Sequence, residues 1–207
     1  MPPTVTPASA PRTDTPNPTL VSNLNERGDT SYRQEQYREA LNYYQQALVI
    51  QKEEGDGGRE GTTLRNIGAT YRSLGQYDQA LENYQQALVI RREVGDRAGE
   101  GATLNSIGET YQARGTTFND IGAVYHARGQ YEQALQNYQQ ALVIHREVGN
   151  RPMEGVTLSN IGETYQAQGQ YDQALENYQQ ALVIIREVGD KASEETVVAN
   201  IKSLPDN

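Results

Sequence analysis

Leu64, Ile67 and Tyr71 recur at steps of three and four residues, which places them on one face of a helix. Gly68 lies within the same stripe, and Gly75 follows as a stop signal. A second helical run then carries Ala80, Tyr84 and Ala87 on its apolar face and continues through Val89-Ile90-Arg91-Arg92-Glu93-Val94 to Gly95-Asp96. The alternation of such helices is periodic. Leu24, Leu64 and Leu104 are spaced by 40 residues, as are Leu158 and Val198, and Gln76–Ile90 returns letter for letter as Gln170–Ile184. A repeat of this length marks a stacked helical array, in which each unit buries its apolar face only against its neighbours.

Gly68 costs about 1 kcal/mol relative to Ala in a helix interior. It recurs as Gly28, Gly108, Gly122 and Gly162, so a close approach between helices is expected at each. Ala80 and Ala87 similarly leave room for large neighbours. Gly95 is expected to end its helix in a left-handed conformation, after which Asp96, and likewise Asn150 and Asp190, can cap the next one.

The large-x2-Leu-Gly-x2-Tyr and Ala-x3-aromatic spacing, carried by Leu64, Ile67, Gly68, Tyr71, Ala80, Tyr84 and Ala87, resembles the tetratricopeptide repeat. The extended second helix is similar to the 40-residue branch that includes the Pins/LGN scaffolds, kinesin light chains and bacterial signalling proteins. The resemblance covers Leu20 to the C-terminus and implies an all-α, right-handed superhelix of antiparallel helix pairs. The units fall near 20–55, 60–95, 100–115, 116–149 and 154–189, with a polar capping helix at 193–204. Six of the eight prolines lie in Met1–Thr19, a segment expected to be a disordered tail.

One unit is irregular. Thr103–Gly115 reads as a first helix, but Thr116-Thr117-Phe118 opens another first helix where a second is due, so about 26 residues of the 40-residue period are missing. Two outcomes compete over 102–128. Gly115 as a stop, with Thr117 and Asp120 as a capping box, favours a tight hairpin. Alternatively the two helices merge, because 14 residues at 100° fall only about 40° short of four turns, and the apolar stripes almost align. The hairpin is the expected form. A merged helix would separate the two halves of the array and expose apolar surface, inviting dimerisation by exchange of repeats.

Composition narrows the function. The net charge is −9, which argues against a non-specific nucleic-acid binder. There is no cysteine to form disulfides or thiolate metal sites, and no apolar run approaches a membrane span. The N-terminus lacks the apolar core of a signal peptide, and a cytoplasmic protein is the simplest reading. His126 and His145 stand at unlike repeat positions with no nucleophile or metal-ligand spacing nearby, so both are expected at the surface, with no catalytic residue, metal or cofactor. The fourteen tyrosines fall mostly on repeat packing positions, which makes them core rather than a base-stacking platform.

The resemblance implies a concave groove lined by the first helices. Its positions here are Asn25, Asp29, Arg33, Arg65, Asn66, Ala69, Arg72, Asn105, Glu109 and Gln112, continuing as Asn119, Ala123, His126, Ser159, Asn160, Glu163, Gln166 and Asn200. Side-chain amides can pair with a peptide backbone of any sequence, and the arginines can attract carboxylates. The paired-lysine carboxylate clamp of chaperone-binding members is not reproduced. The implied function is a non-enzymatic scaffold binding a protein or peptide segment. The alternatives are a peptide-sensing region of a larger signalling protein and a self-assembling repeat module.

Overall fold

The computed structural model describes residues 18–205, so most of the Met1–Thr19 tail lies outside the described residues; Pro18 and Thr19 form the first turn of a helix instead. The described residues form nine helices and no strand. They are α1 (Pro18–Arg33), α2 (Tyr37–Glu54), α3 (Gly57–Ser73), α4 (Tyr77–Glu93), α5 (Arg97–Ala127), α6 (Tyr131–Glu147), α7 (Arg151–Ala167), α8 (Tyr171–Val188) and α9 (Lys191–Lys202). Each helix packs on the next, and α3, α5, α7 and α9 also touch in succession, which makes an all-α solenoid of helix pairs.

The pairing rests on one contact. Tyr44, Tyr84, Tyr138 and Tyr178 of the second helices are at most 2% exposed. Each ring lies over a first-helix glycine: a Cβ on Gly68, Gly122 or Gly162 would sit 2.7 Å from the ring of Tyr84, Tyr138 or Tyr178, and one on Gly28 would sit 2.5 Å from Tyr44. Only hydrogen leaves enough room there, which explains why a poor helix former recurs at this position. The small residues Ala40, Ala80, Ala134 and Ala174 are fully buried one turn earlier on the same helices.

Turns follow local chemistry. Gly75 and Gly95 adopt φ of 72° and 73°, the left-handed values expected of helix stops. Asp96, Asn150 and Asp190 accept hydrogen bonds from the backbone N–H groups of Gly99, Met153 and Ser193 at 2.9, 3.3 and 3.1 Å, capping α5, α7 and α9. The Ser193 hydroxyl and N–H hold the Asp190 carboxyl below its ordinary range.

The expected hairpin at Gly115 does not form. Instead α5 runs unbroken for 31 residues. Three local features account for this. Thr116 and Thr117 donate their hydroxyls to the carbonyls of Gln112 and Ala113 at 3.1 and 3.0 Å, within the helix rather than as caps. Gly115 is a close-approach glycine and not a stop: a Cβ there would lie 2.6 Å from His145 Cε1, just as one on Gly155 would lie 3.0 Å from Ile185. Finally, α4 braces the junction from outside, with the Tyr77 hydroxyl 2.9 Å from Thr117 Oγ1 and Asp78 2.9 Å from Arg114. One Gly and two Thr cost about 2 kcal/mol against Ala in a helix interior. These contacts offset that cost.

The merged helix has two unfinished faces. Gly101 and Gly108 correspond to Gly61 and Gly68 one period earlier, yet a methyl group added at either would have nothing within 4 Å, so no close approach occurs at Gly108. Leu104 is 46% exposed where Leu64 is 1%. Further along, Ile121 is 39% and Val124 50% exposed, while Ile161 and Thr164 at the same repeat positions are fully buried. The first half of α5 thus resembles the end of an array, and the second half the start of another.

His145 is another departure: it is fully buried rather than at the surface. It shares a repeat position with Gln51, Arg91 and Ile185, all of which pack inward, and neither of its ring nitrogens has a hydrogen-bond partner. Burial pushes its pKa below the ordinary value of 6.5, only partly opposed by Glu154.

Two outcomes test this packing. Gly68→Ala should destabilise by about 1–3 kcal/mol through overpacking against Tyr84, whereas Gly108→Ala should stabilise by up to about 1 kcal/mol through helix propensity. Thermal melts by circular dichroism in dilute solution give both signs, and equal effects would refute the empty notch. For His145, the unfolded chain takes up a proton as pH falls through 6.5, while the folded chain takes it up only at lower pH. Stability present above pH 6.5 is therefore lost below it. His145→Ile should raise the melting temperature and give a flatter profile than the native chain between about pH 7.5 and 5.5; parallel profiles would show that the ring does not stay neutral in the fold.

Candidate functional site

The inner faces of α1, α3, α5, α7 and α9 carry the polar side chains that sequence reading assigns to a groove. Much of this set is engaged in a ladder between successive first helices. Asn25 Oδ1 accepts from Thr63 at 3.2 Å, and Asp29 accepts from the Tyr44 hydroxyl at 2.7 Å and from Asn66 at 3.5 Å. Arg72 pairs with Glu109. Asn119 Oδ1 accepts from both Thr157 and Asn160 at 3.2 Å. His126 Nδ1 lies 3.1 Å from Thr164 Oγ1, Gln166 donates to Ser203 at 3.0 Å, and Asn200 donates to Glu163 at 3.1 Å.

These bonds divide the predicted residues into two groups. Asn119 is 7% exposed, and Ser159 is 8%, so neither offers much to a partner. Arg33 is exposed but turns back to the Asp29 carbonyl at 3.2 Å. By contrast Arg65, Asn105 and Gln112 make no side-chain bond, and Ala69 and Ala123 add only small surfaces. Asn105 and Gln112 are exposed for a specific reason: they stand at the repeat positions of Asn119 and His126, which reach the following first helix, and α5 has no such neighbour along its first half.

An opening of about 280 Å³ lies between α7 and α9, bounded by Asn160, Glu163 and Val156 on one side and Ser193, Thr196 and Val197 on the other. Its α9 wall is not legible in the sequence as part of a site, because α9 departs from the repeat consensus. Thr63 and Thr157 are bridging groups that the sequence reading misses, although their shared repeat position is a visible signal.

Burial, first of all, holds the Tyr44, Tyr138 and Tyr178 hydroxyls above the ordinary tyrosine range, Tyr138 at about 12, and those of Tyr44 and Tyr178 donate to Asp29 and Gln166. Among the described residues no cluster of three His, Asp or Glu could hold a metal ion, and no helix is long and apolar enough to cross a membrane.

A tetratricopeptide repeat family model matches residues 19–93, 59–117 and 114–187. The chain belongs to the tetratricopeptide repeat family. Two of these matches meet inside α5, at the point where the missing helix would fall. Repeats of this family commonly serve as protein-interaction scaffolds. No curated protein sequence matches the chain.

Solved structures that it is similar to include aspartyl phosphate phosphatase F from Bacillus subtilis, at 20% identity and a TM-score of 0.38, covering 86% of this chain and 43% of that one. A kinesin light chain type protein of Podosopora anserina, built of nearly identical TPR-like repeats, is 15% identical with a TM-score of 0.43, covering 91% and 96%. The quorum sensor NprR from B. thuringiensis is 15% identical with a TM-score of 0.41, covering 90% and 60%. The chain therefore spans less than half of the phosphatase and 60% of the quorum sensor.

Proposed function

We propose that the chain is a non-catalytic scaffold that binds an extended or helical peptide segment along its inner face. The observation that carries this reading is the division of the polar ladder. Most inner-face side chains are tied between helices and therefore rigid, while Arg65, Asn105 and Gln112 make no side-chain bond; Asn160 and Glu163, held by Asn119 and Asn200, border an opening of about 280 Å³. A fixed framework with a few uncommitted polar groups loses little conformational freedom on binding. The two ends differ in charge. The N-terminal half presents Arg33, Arg65 and Arg72 beside one carboxylate, Asp29, with Arg72 already neutralised by Glu109, and the C-terminal half presents Glu163. The partner segment that fits carries a carboxylate toward α3 and amide or backbone donors toward α7.

Selection of peptides from a random library on the full chain, followed by titration calorimetry, tests this. Arg65→Ala and Glu163→Ala should each weaken the selected peptides about tenfold, the loss of one hydrogen bond to a charged group, without lowering helicity. Peptides whose affinity ignores both substitutions would place binding elsewhere and remove the groove reading.

A further inference from the structure

The face of α5 left bare by the missing helix is independent of the groove and faces a different direction. Gly101, Leu104, Gly108 and Tyr111 follow one another at three- and four-residue steps and form a single stripe. The stripe ends where α6 begins to cover it, at Gly115 under His145 and Ile144. In the other pairs this same stripe is the established interface with a second helix, as the glycine contacts with Tyr44, Tyr84, Tyr138 and Tyr178 record. Here it is continuous with the α5–α6 interface but open. Leu104 is 46% exposed, and methyls on Gly101 and Gly108 would meet nothing.

The pattern along the stripe is small, large, small, large. Reversed about Ser106, it maps onto itself with small and large exchanged: Leu104 falls opposite Gly108, and Tyr111 opposite Gly101. Two of the charges beside the stripe are already paired within the chain, Glu100 with Arg92 and Arg97, and Arg114 with Asp78, while Glu147 stands at its far end across an opening from Tyr111. A surface that matches itself under a two-fold rotation is the requirement for an isologous dimer.

We propose that this stripe is an interface with a second copy of the chain, in which two α5 helices pack antiparallel about a two-fold axis at Ser106. Each copy's Leu104 and Tyr111 fill the notches at Gly108 and Gly101 of the other. Those notches are the sites that receive a second-helix side chain in complete units, Arg91 over Gly61 and Tyr84 over Gly68. A contact built on half of one helix is smaller than the standard interface of about 800 Å² per partner. Association is therefore expected in the micromolar range and not tighter.

Sedimentation equilibrium of the full chain from about 1 to 200 µM should show the mass rise from 23.0 kDa toward twice that value. Leu104→Glu should weaken the association at least tenfold with unchanged circular dichroism, because Leu104 is 46% exposed in the single chain. Gly108→Leu should do the same by filling its own notch, where a side chain meets no atom. The chain has no cysteine, so Asn105→Cys, at the edge of the stripe close to the axis, should form an intermolecular disulfide under mild oxidation. Gln86→Cys on the exposed side of α4 should not. A mass of one chain at all concentrations overturns the proposal. So does a dimer indifferent to both substitutions and without enhanced Asn105→Cys coupling, which would mean that another face associates; and a mass near one chain that rises only with a foreign protein present would assign the stripe to that protein instead.

Discussion

The array stands on the contact between a glycine of each first helix and a buried tyrosine of the second. A glycine in the middle of a helix is unfavourable by about 1 kcal/mol, and this chain accepts that cost at Gly28, Gly68, Gly122 and Gly162. In return the rings of Tyr44, Tyr84, Tyr138 and Tyr178 lie directly on a helix backbone and are at most 2% exposed. An aromatic side chain buried to that degree is a large fraction of the apolar surface available to so small a unit. At Tyr44 and Tyr178 the seated ring carries its hydroxyl to the inner face, whereas that of Tyr84 stays buried. The Tyr44 hydroxyl donates to Asp29 and that of Tyr178 to Gln166, both at 2.7 Å, so the packing contact also orients the polar ladder.

This dependence explains why the fold is so readable in the sequence and why one junction is not. The glycine, alanine and tyrosine positions repeat at fixed spacing, and the Gly–Tyr contact forms wherever a second helix follows the first, as it does at Gly68 and does not at Gly108. Gly115 is ambiguous because two kinds of glycine look alike in sequence. Gly75 has a φ of 72° and ends a helix, whereas Gly115 is helical and lies under a side chain. Which kind it is depends on whether a partner ring stands above it, and that partner, His145, is 30 residues away. Tertiary packing overrules the local capping signals at Thr117 and Asp120. His145 itself misleads for a related reason. A polar residue reads as surface, but its repeat position is an inward one, shared with Ile185, and position outweighs polarity.

The candidate site is legible in a different sense. Repeat position puts the residues assigned to a groove on first helices, but does not say which of them spend their hydrogen bonds within the array. That depends on the neighbouring first helix being present. Asn119 is tied to Thr157 and Asn160, while Asn105, at the same repeat position, has no neighbour to reach and stays exposed. One deletion in the sequence therefore changes the chemistry of residues that it does not touch.

In a compact domain, losing a second helix would break the only core. A solenoid has no single core, because each unit interacts only with those beside it, so the damage stays local. What remains is two short arrays sharing one helix. The shared α5 is 31 residues, about 46 Å at 1.5 Å per residue. Because the two repeat registers differ by 14 residues along it, the units before and after are displaced by about 21 Å and rotated by about 40°. The inner face is thereby split into an arginine-bearing part on α1 and α3 and an amide- and glutamate-bearing part on α7 and α9. A peptide of the kind proposed above that engages both would have to span α5, and its two contacts would be linked at a fixed distance. Affinity in such an arrangement comes from effective concentration as much as from either contact. The stiffness of the merged helix, held by α4 at Arg114 and Thr117 and by α6 at Gly115, sets that distance.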